Sequence, residues 1–423
     1  MSDFKNYTLP NGINLHIYPT EKFKTIVYSI FLHQNLKKEL AAKTALLPYV
    51  LERGSKNWPT TRELVITLEN LYGADIITEV LKRGERQIVQ FILEIVNPVY
   101  VQGNGSLEKK GLEVLKDILT NPVVEGDGFK ESYVNREKEI LVNQVKGLIN
   151  DKVTYAMERC IQEMCREEDY GVYRLGRLED LEHMDSSELY SYYQKFLNTA
   201  PMDIFVLGNV DTEQTLSLME ETFNFSRGDM FPLEPTLVYK DVEEPRYVEE
   251  RLEVNQGKLT LGYRTNTLVK DEDYYPLVMC NGILGAFPHS KLFQNVREKA
   301  SLAYYASSRL EKDKGIMLIA SGIETGNYEK ALEIIQQQVE SMKSGEISEE
   351  EFESTRVGLI NSVKVMDDSP YQIISRYLSG IISDRQETQE EIIEQINRVR
   401  VEDVVRAADK IQLDTIYFLR NKD

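Results

Sequence analysis

Histidine and cysteine are scarce, at four and three residues in a chain of 423. Cys160, Cys165 and Cys280 are an odd and widely spread set. They exclude a disulfide framework, and Cys160 and Cys165 have no second pair with which to build a zinc site. They read as core or surface thiols in a reducing cytosol. No two of His16, His33, His183 and His289 stand four apart, so the His-x-x-x-His face that holds a metal on a helix is missing. His16 falls in an alternating strand over 13–17, His33 ends an apolar run, and His183 lies on or just before a helix. Each reads as a packed or surface residue. The Gly-x-Ser-x-Gly elbow, the Gly-x-x-x-x-Gly-Lys phosphate loop and the Gly-x-Gly-x-x-Gly turn are all absent. No apolar run approaches the ~18–20 residues of a membrane span. Met1-Ser-Asp-Phe-Lys5 lacks the apolar stretch of a secretory signal, so the expectation is a cytoplasmic protein with no membrane segment. Net charge is −19. Without clustered Lys and Arg, a nucleic-acid backbone is excluded as partner, while basic or extended peptides suit the acidic balance.

Apolar residues make up 42% of the chain, enough for sizeable cores, and the length suits two domains. The sequence is also written twice. Gly105-Ser-Leu-Glu-Lys-Lys-Gly-Leu-Glu resembles Gly326-Asn-Tyr-Glu-Lys-Ala-Leu-Glu. Gly147-Leu-Ile-Asn150 recurs as Gly358-Leu-Ile-Asn361, and the pattern of Asp203–Asn209 recurs at Thr415–Asn421. The offsets are 221, 211 and 212 residues, half the chain each time, and far too long for a solenoid period. Segments 87–95 and 316–322 read as buried strands, and 106–119 and 328–342 as amphipathic helices. Asp185-Ser-Ser-Glu188 has the form of an N-cap opening a helix that carries Leu189, Tyr192, Tyr193 and Phe196. Strand 203–208 follows. Prolines 232, 235 and 245 mark a linker. The expectation is an α+β fold of two homologous domains, each a mainly antiparallel sheet covered by helices: 1–225, a linker at 226–246, and 247–423.

Several segments, taken in order, resemble the M16 (pitrilysin and mitochondrial processing peptidase-like) metallopeptidase family. Thr44-Ala-Leu-Leu-Pro-Tyr-Val-Leu-Glu-Arg-Gly-Ser55 is similar to the helix where that family carries His-x-x-Glu-His, then four residues and Gly-Thr. Leu71-Tyr-Gly-Ala-Asp75, Tyr170-Gly-Val-Tyr-Arg-Leu-Gly176 and Val206-Leu-Gly-Asn209 match later elements. Leu284-Gly285 with Ser290-Lys-Leu-Phe-Gln-Asn-Val-Arg-Glu-Lys-Ala-Ser-Leu-Ala-Tyr304 resembles the family's C-domain signature. The resemblance implies the LuxS/mitochondrial-processing-peptidase-like metallohydrolase fold in both halves.

It also implies a degenerate site. Anchored on Gly54-Ser55, the two histidine positions are Ala45 and Tyr49, the general-base glutamate position is Pro48, and the distal ligand position is Gln144, in Glu137-x6-Gln144. Zinc requires N, S or O donors, and a carboxylate must take the proton of its bound water. Ala45 and Pro48 offer neither, Tyr49 is a poor substitute, and Pro48 is expected to bend or break its helix. Glu137 and Glu139 read as a solvated helix face, which leaves a replacement metal site built from them, Gln144 and a histidine as the least favoured reading. By resemblance, Arg297 and Tyr304 hold substrate carbonyls and stabilise the oxyanion. From the residues alone, Arg297 paired with Glu298 or Glu311 and a packed Tyr304 is the competing reading, and Tyr305 is the alternative register. The implied protein is inactive alone and needs no cofactor of its own. It supplies Arg297 and Tyr304 to a homologous partner that carries His-x-x-Glu-His and zinc, around unfolded peptides. A peptide-binding scaffold with no peptidase role is the alternative, and self-association of the lone chain is left open.

Overall fold

The computed structural model describes residues 4–101 and 106–422. Met1 to Asp3, and Gly105 at the head of the first repeat, lie outside the described residues. The chain divides into two units: residues 1–146 with 172–235, and residues 147–171 with 236–423.

The first unit runs β1 (Lys5–Thr8), β2 (Asn14–Pro19), β3 (Thr25–Asn35), α1 (Lys38–Leu51), α2 (Thr61–Asn70), β4 (Asp75–Arg83), β5 (Arg86–Val96) and α3 (Leu107–Thr120). The small hairpin β6 (Val124–Glu125) and β7 (Gly128–Phe129) follows, then α4 (Glu131–Gly147). Helix α5 (Lys152–Met164) belongs to the second unit. The first unit then resumes with α6 (Leu178–Glu182), α7 (Ser186–Thr199), β8 (Met202–Gly208) and α8 (Thr212–Thr222). Its sheet order is β1-β2-β8-β3-β5-β4, with β2·β8 parallel and the other pairs antiparallel. Alternation sends Tyr28, Ile30 and Leu32 of β3 into one core with Leu46, Val50 and Leu115 from the helices. The Asp185 side chain accepts from the Glu188 amide and starts α7, as the N-cap pattern requires.

The second unit holds β9 (Arg246–Arg251), β10 (Gly257–Arg264), α9 (Tyr274–Asn281), β11 (Ala303–Glu311), β12 (Ile316–Ile323), α10 (Tyr328–Lys343), α11 (Glu349–Met366), α12 (Pro370–Ser383), α13 (Gln389–Arg398), α14 (Val401–Asp409) and β13 (Gln412–Arg420). Its sheet order is β11-β12-β10-β13-β9. Read from β9, this reproduces the order β2-β8-β3-β5-β4 of the first sheet. The single parallel pair also recurs at the same place, β9·β13 for β2·β8. The repeated segments of the sequence are therefore two copies of one α+β topology.

The halves are not divided as the sequence suggests. Segment 147–171 falls within the expected first domain, yet α5 lies on β10, β12 and β13 in a cluster of its own, with Cys160, Ile161 and Met164 against Leu318 and Tyr417. Gly262 of β10 makes room for it. A Cβ there would stand 2.7 Å from Met164 Sδ. The last of the three boundaries falls between Pro235 and Thr236, inside the linker expected at 226–246.

Two buried charge clusters fasten the sheets. In the first unit Asp203 of β8 sits between β2 and β3. His16 Nε2 is 2.9 Å from its Oδ1, and His33 Nε2 is 2.8 Å from its Oδ2. Burial would raise the Asp203 carboxyl, but hydrogen bonds from both imidazoles hold it well below the usual carboxylate range. In the second unit Glu168 receives Arg264 at 2.7 Å and Lys314 at 2.7 Å. Burial opposes ionisation here too, and those two donors nevertheless bring Glu168 down to about 2. Depressed carboxyls stabilise the fold above their unfolded pKa and lose that contribution as pH falls toward the folded value. The thermal midpoint should therefore drop steeply below about pH 4.5. Glu168→Gln should flatten that descent when unfolding is followed from neutral to strongly acid pH. Parallel curves for the two proteins would contradict the assignment.

Candidate functional site

Helix α1 carries the positions where the resemblance places the metal. Ala45 is fully buried and packs in the first core beside Leu46 and Leu47. Pro48 is buried too, but it does not break the helix, which runs on to Leu51. It stands in the last turn, so the lost N–H removes only one bond close to the end, and the Glu52 amide still donates to the Pro48 carbonyl at 3.0 Å. Tyr49 is half-buried. Burial raises its phenol above the ordinary value, Arg174 opposes this, and the Glu52, Glu79 and Glu137 carboxylates add to it. At neutral pH it is a protonated phenol, not a phenolate ligand.

The distal glutamates differ from expectation. Glu137 does not lie on a solvated face. It is buried with Val134 and Leu141 on the inner side of α4, and Arg53, two residues beyond α1, donates from Nε to its Oε1. Periodicity could have found this, because Val134 and Leu141 are three and four residues away on the same face. Glu139 is exposed and pairs only loosely with Arg136, at 3.9 Å. Gln144 is exposed two turns beyond Glu137 on the same helix. Among the described residues no group of three His, Cys, Asp or Glu side chains is placed to hold a metal ion. The side chains on α1 do not fit zinc: two have no donor, one is a protonated phenol, and the buried carboxylate of Glu137 is tied to Arg53.

The segment after Gly171 frames α1. Gln87 Nε2 donates to the carbonyls of Ala41 and Arg174, at 2.9 and 2.6 Å. Gly176, at φ +77°, lies so close to α1 that a Cβ would stand 2.5 Å from the Ala42 backbone. Only glycine suits both conditions.

In the second unit Arg297 sits on a π-helical turn, Phe293–Lys299. Its guanidinium lies 4.5 Å over the Phe293 ring, and its nearest carboxylate is Glu298 at 3.6 Å, with both side chains about half exposed. Such a pair contributes little. Ser301, at φ +51°, then turns the chain into β11. Tyr304 is the extra residue of a bulge at the start of β11, between Ala303↔Ile323 and Tyr305↔Gly322, and it is 65% exposed. Tyr305 is the half-buried neighbour. Its ring lies over Gly322 and 5.6 Å from Lys258 Nζ, and burial raises its phenol. Of the two tyrosines, Tyr304 is therefore the solvent-facing one.

A family model described as the peptidase M16 inactive domain matches residues 183–359. The chain is 37% identical over 412 residues to the Bacillus subtilis (strain 168) protein "Probable inactive metalloprotease YmfF", covering 97% of this chain and 96% of that one. It is 22% identical over 415 residues to "Uncharacterized zinc protease YmxG" of the same strain, covering 95% and 93%. A solved structure of a conserved protein from Enterococcus faecalis V583 superposes with a TM-score of 0.93 at 32% identity, over 100% of this chain and 99% of that one. The chain belongs to the M16 peptidase family, as a member whose α1 lacks the family's His-x-x-Glu-His zinc motif.

Proposed function

We propose that this chain is the non-catalytic subunit of a two-chain M16-type peptidase, and that it presents Arg297 and Tyr304 to the substrate while a homologous partner supplies His-x-x-Glu-His and zinc. One observation carries this reading. Every zinc and general-base position on α1 is empty of suitable donors, yet Arg297 and Tyr304 are both retained and exposed, and neither is consumed by a buried partner. Peptide hydrolysis builds negative charge on the scissile carbonyl oxygen, and a guanidinium with a phenolic O–H is a donor set suited to it. A relative named an inactive metalloprotease and one named a zinc protease occur in one Bacillus strain, each matching this chain along nearly its whole length. Chains of both kinds, of similar size, thus exist side by side. The substrate is an unfolded peptide, and the cytoplasm is the compartment that suits three buried cysteine thiols outside any disulfide. Among the described residues no helix is long and apolar enough to cross a membrane.

The test is reconstitution. The purified chain is mixed with the zinc-motif homologue of its own organism, and hydrolysis of an unstructured fluorogenic peptide is followed. Each chain alone should be nearly inactive, and the mixture should gain at least about tenfold, a difference of 1.4 kcal/mol in transition-state stabilisation, and lose it to a chelator. A zinc-bearing chain that works equally well alone would defeat the proposal. Peptide binding without hydrolysis in the mixture would favour the scaffold reading.

A further inference from the structure

Lys291 is 7% exposed, and among the polar groups around the Arg297 turn it is the most deeply placed cation. Its Nζ donates to the Glu346 carbonyl at 2.6 Å and lies 3.1 Å from Glu351 Oε1. Glu351 is the third residue of α11 and closes its capping box, where its Oε2 accepts from the Ser348 amide at 2.9 Å. Burying an ammonium costs free energy unless it is paired, so this contact ties residue 291 firmly to the start of α11. The next residue, Leu292, is fully buried, as is Val296 one turn on. Between them Phe293 provides the ring on which the Arg297 guanidinium rests. A second tie lies on the other side, where Asn295 Nδ2 donates to Gln338 Oε1 of α10 at 2.6 Å.

A π-helical turn is rarely stable by its own hydrogen bonds and persists where its surroundings hold it. Both contacts described for Arg297, the Phe293 ring and the half-exposed Glu298, belong to the 293–299 turn itself, so the turn sets where the guanidinium stands. We propose that Lys291 is a positioning residue: fastened to the cap of α11, it keeps the 293–299 turn in its π register and so aims Arg297. Lys291 itself touches no substrate. The functional half of this inference rests on the reading of Arg297 given above; the structural half does not.

The test replaces both charges, Lys291→Met with Glu351→Gln, so that no buried carboxylate is left unpaired. Amide hydrogen exchange over 293–299 should become at least about tenfold faster while β11 and β12 keep their protection. Lys291→Arg, which retains the charge, should stay near wild type. Unchanged exchange in the turn would overturn the proposal. The second readout is the affinity of the reconstituted pair for a short fluorescein-labelled, unstructured Lys/Ala/Gly peptide. The double variant should weaken binding about tenfold, or 1.4 kcal/mol, in the wild-type background and add almost nothing once Arg297 is alanine. An equal loss in both backgrounds would show that Lys291 does not act through Arg297. If Arg297→Ala leaves binding intact while exchange still quickens, the role given to Arg297 falls and the holding role of Lys291 stands.

Discussion

Arg264→Ala should destabilise the second unit by about 3–5 kcal/mol and lower its thermal midpoint by about 10 °C. Arg264 is fully buried, the largest such side chain in the molecule as described. It holds three elements at once: Nε is 2.9 Å from Asp414 on β13, Nη2 is 2.7 Å from Glu168 beyond α5, and Nη2 also donates to the Met164 carbonyl at 3.1 Å. Lys314, also fully buried, shares Glu168. Removing the guanidinium leaves the Asp414 carboxylate buried with the Thr415 hydroxyl and, among the described residues, no other cation within ion-pair reach. The cost is therefore that of stranded charge, not of one hydrogen bond. Arg264→Lys should recover only part of the loss, because a single ammonium cannot span Asp414 and Glu168 as the planar fork does. Denaturant unfolding decides the matter. A loss below about 1 kcal/mol would mean that the cluster does not tie segment 147–171 to its sheet.

Arg297→Ala should lower the kcat of the reconstituted pair by about 10²–10³-fold and leave the thermal midpoint of this chain almost unmoved. The contrast follows from its surroundings. A half-exposed arginine with one loose ion pair contributes little to folding, but the same guanidinium facing a developing oxyanion contributes to the barrier. Because the guanidinium also holds the peptide carbonyl in the ground state, kcat/KM should fall further than kcat, by about the tenfold loss of binding, and Lys at 297 should fall between wild type and Ala. A loss smaller than about threefold would remove Arg297 from the chemistry.

Much of the fold could be read from the residues. The apolar run of β5 and the Asp185–Glu188 cap specify their elements locally, and the structure keeps both. Gly54-Ser55 and the order of the flanking segments name the helix on which the resemblance places the degenerate site, whatever residues fill it. What escaped was non-local. The apolar stripe of α5 declares that one face is buried but not which sheet receives it, and the complementary signal, Gly262, lies about a hundred residues away. His16, His33 and Asp203 are ordinary strand residues until the order β2-β8-β3 brings them side by side. Pro48 seemed a helix breaker because the helix was not known to end three residues later. Charge alone puts Glu137 on a solvated face, whereas the spacing of Val134 and Leu141 puts it inside.

The most direct measurement is metal analysis of the purified, full-length chain together with a peptidase assay of the same sample. Zinc far below one ion per chain, and no peptide hydrolysis that a chelator can abolish, is what Ala45, Pro48 and a protonated Tyr49 require. Near-stoichiometric, tightly held zinc with chelator-sensitive cleavage by the lone chain would contradict the account.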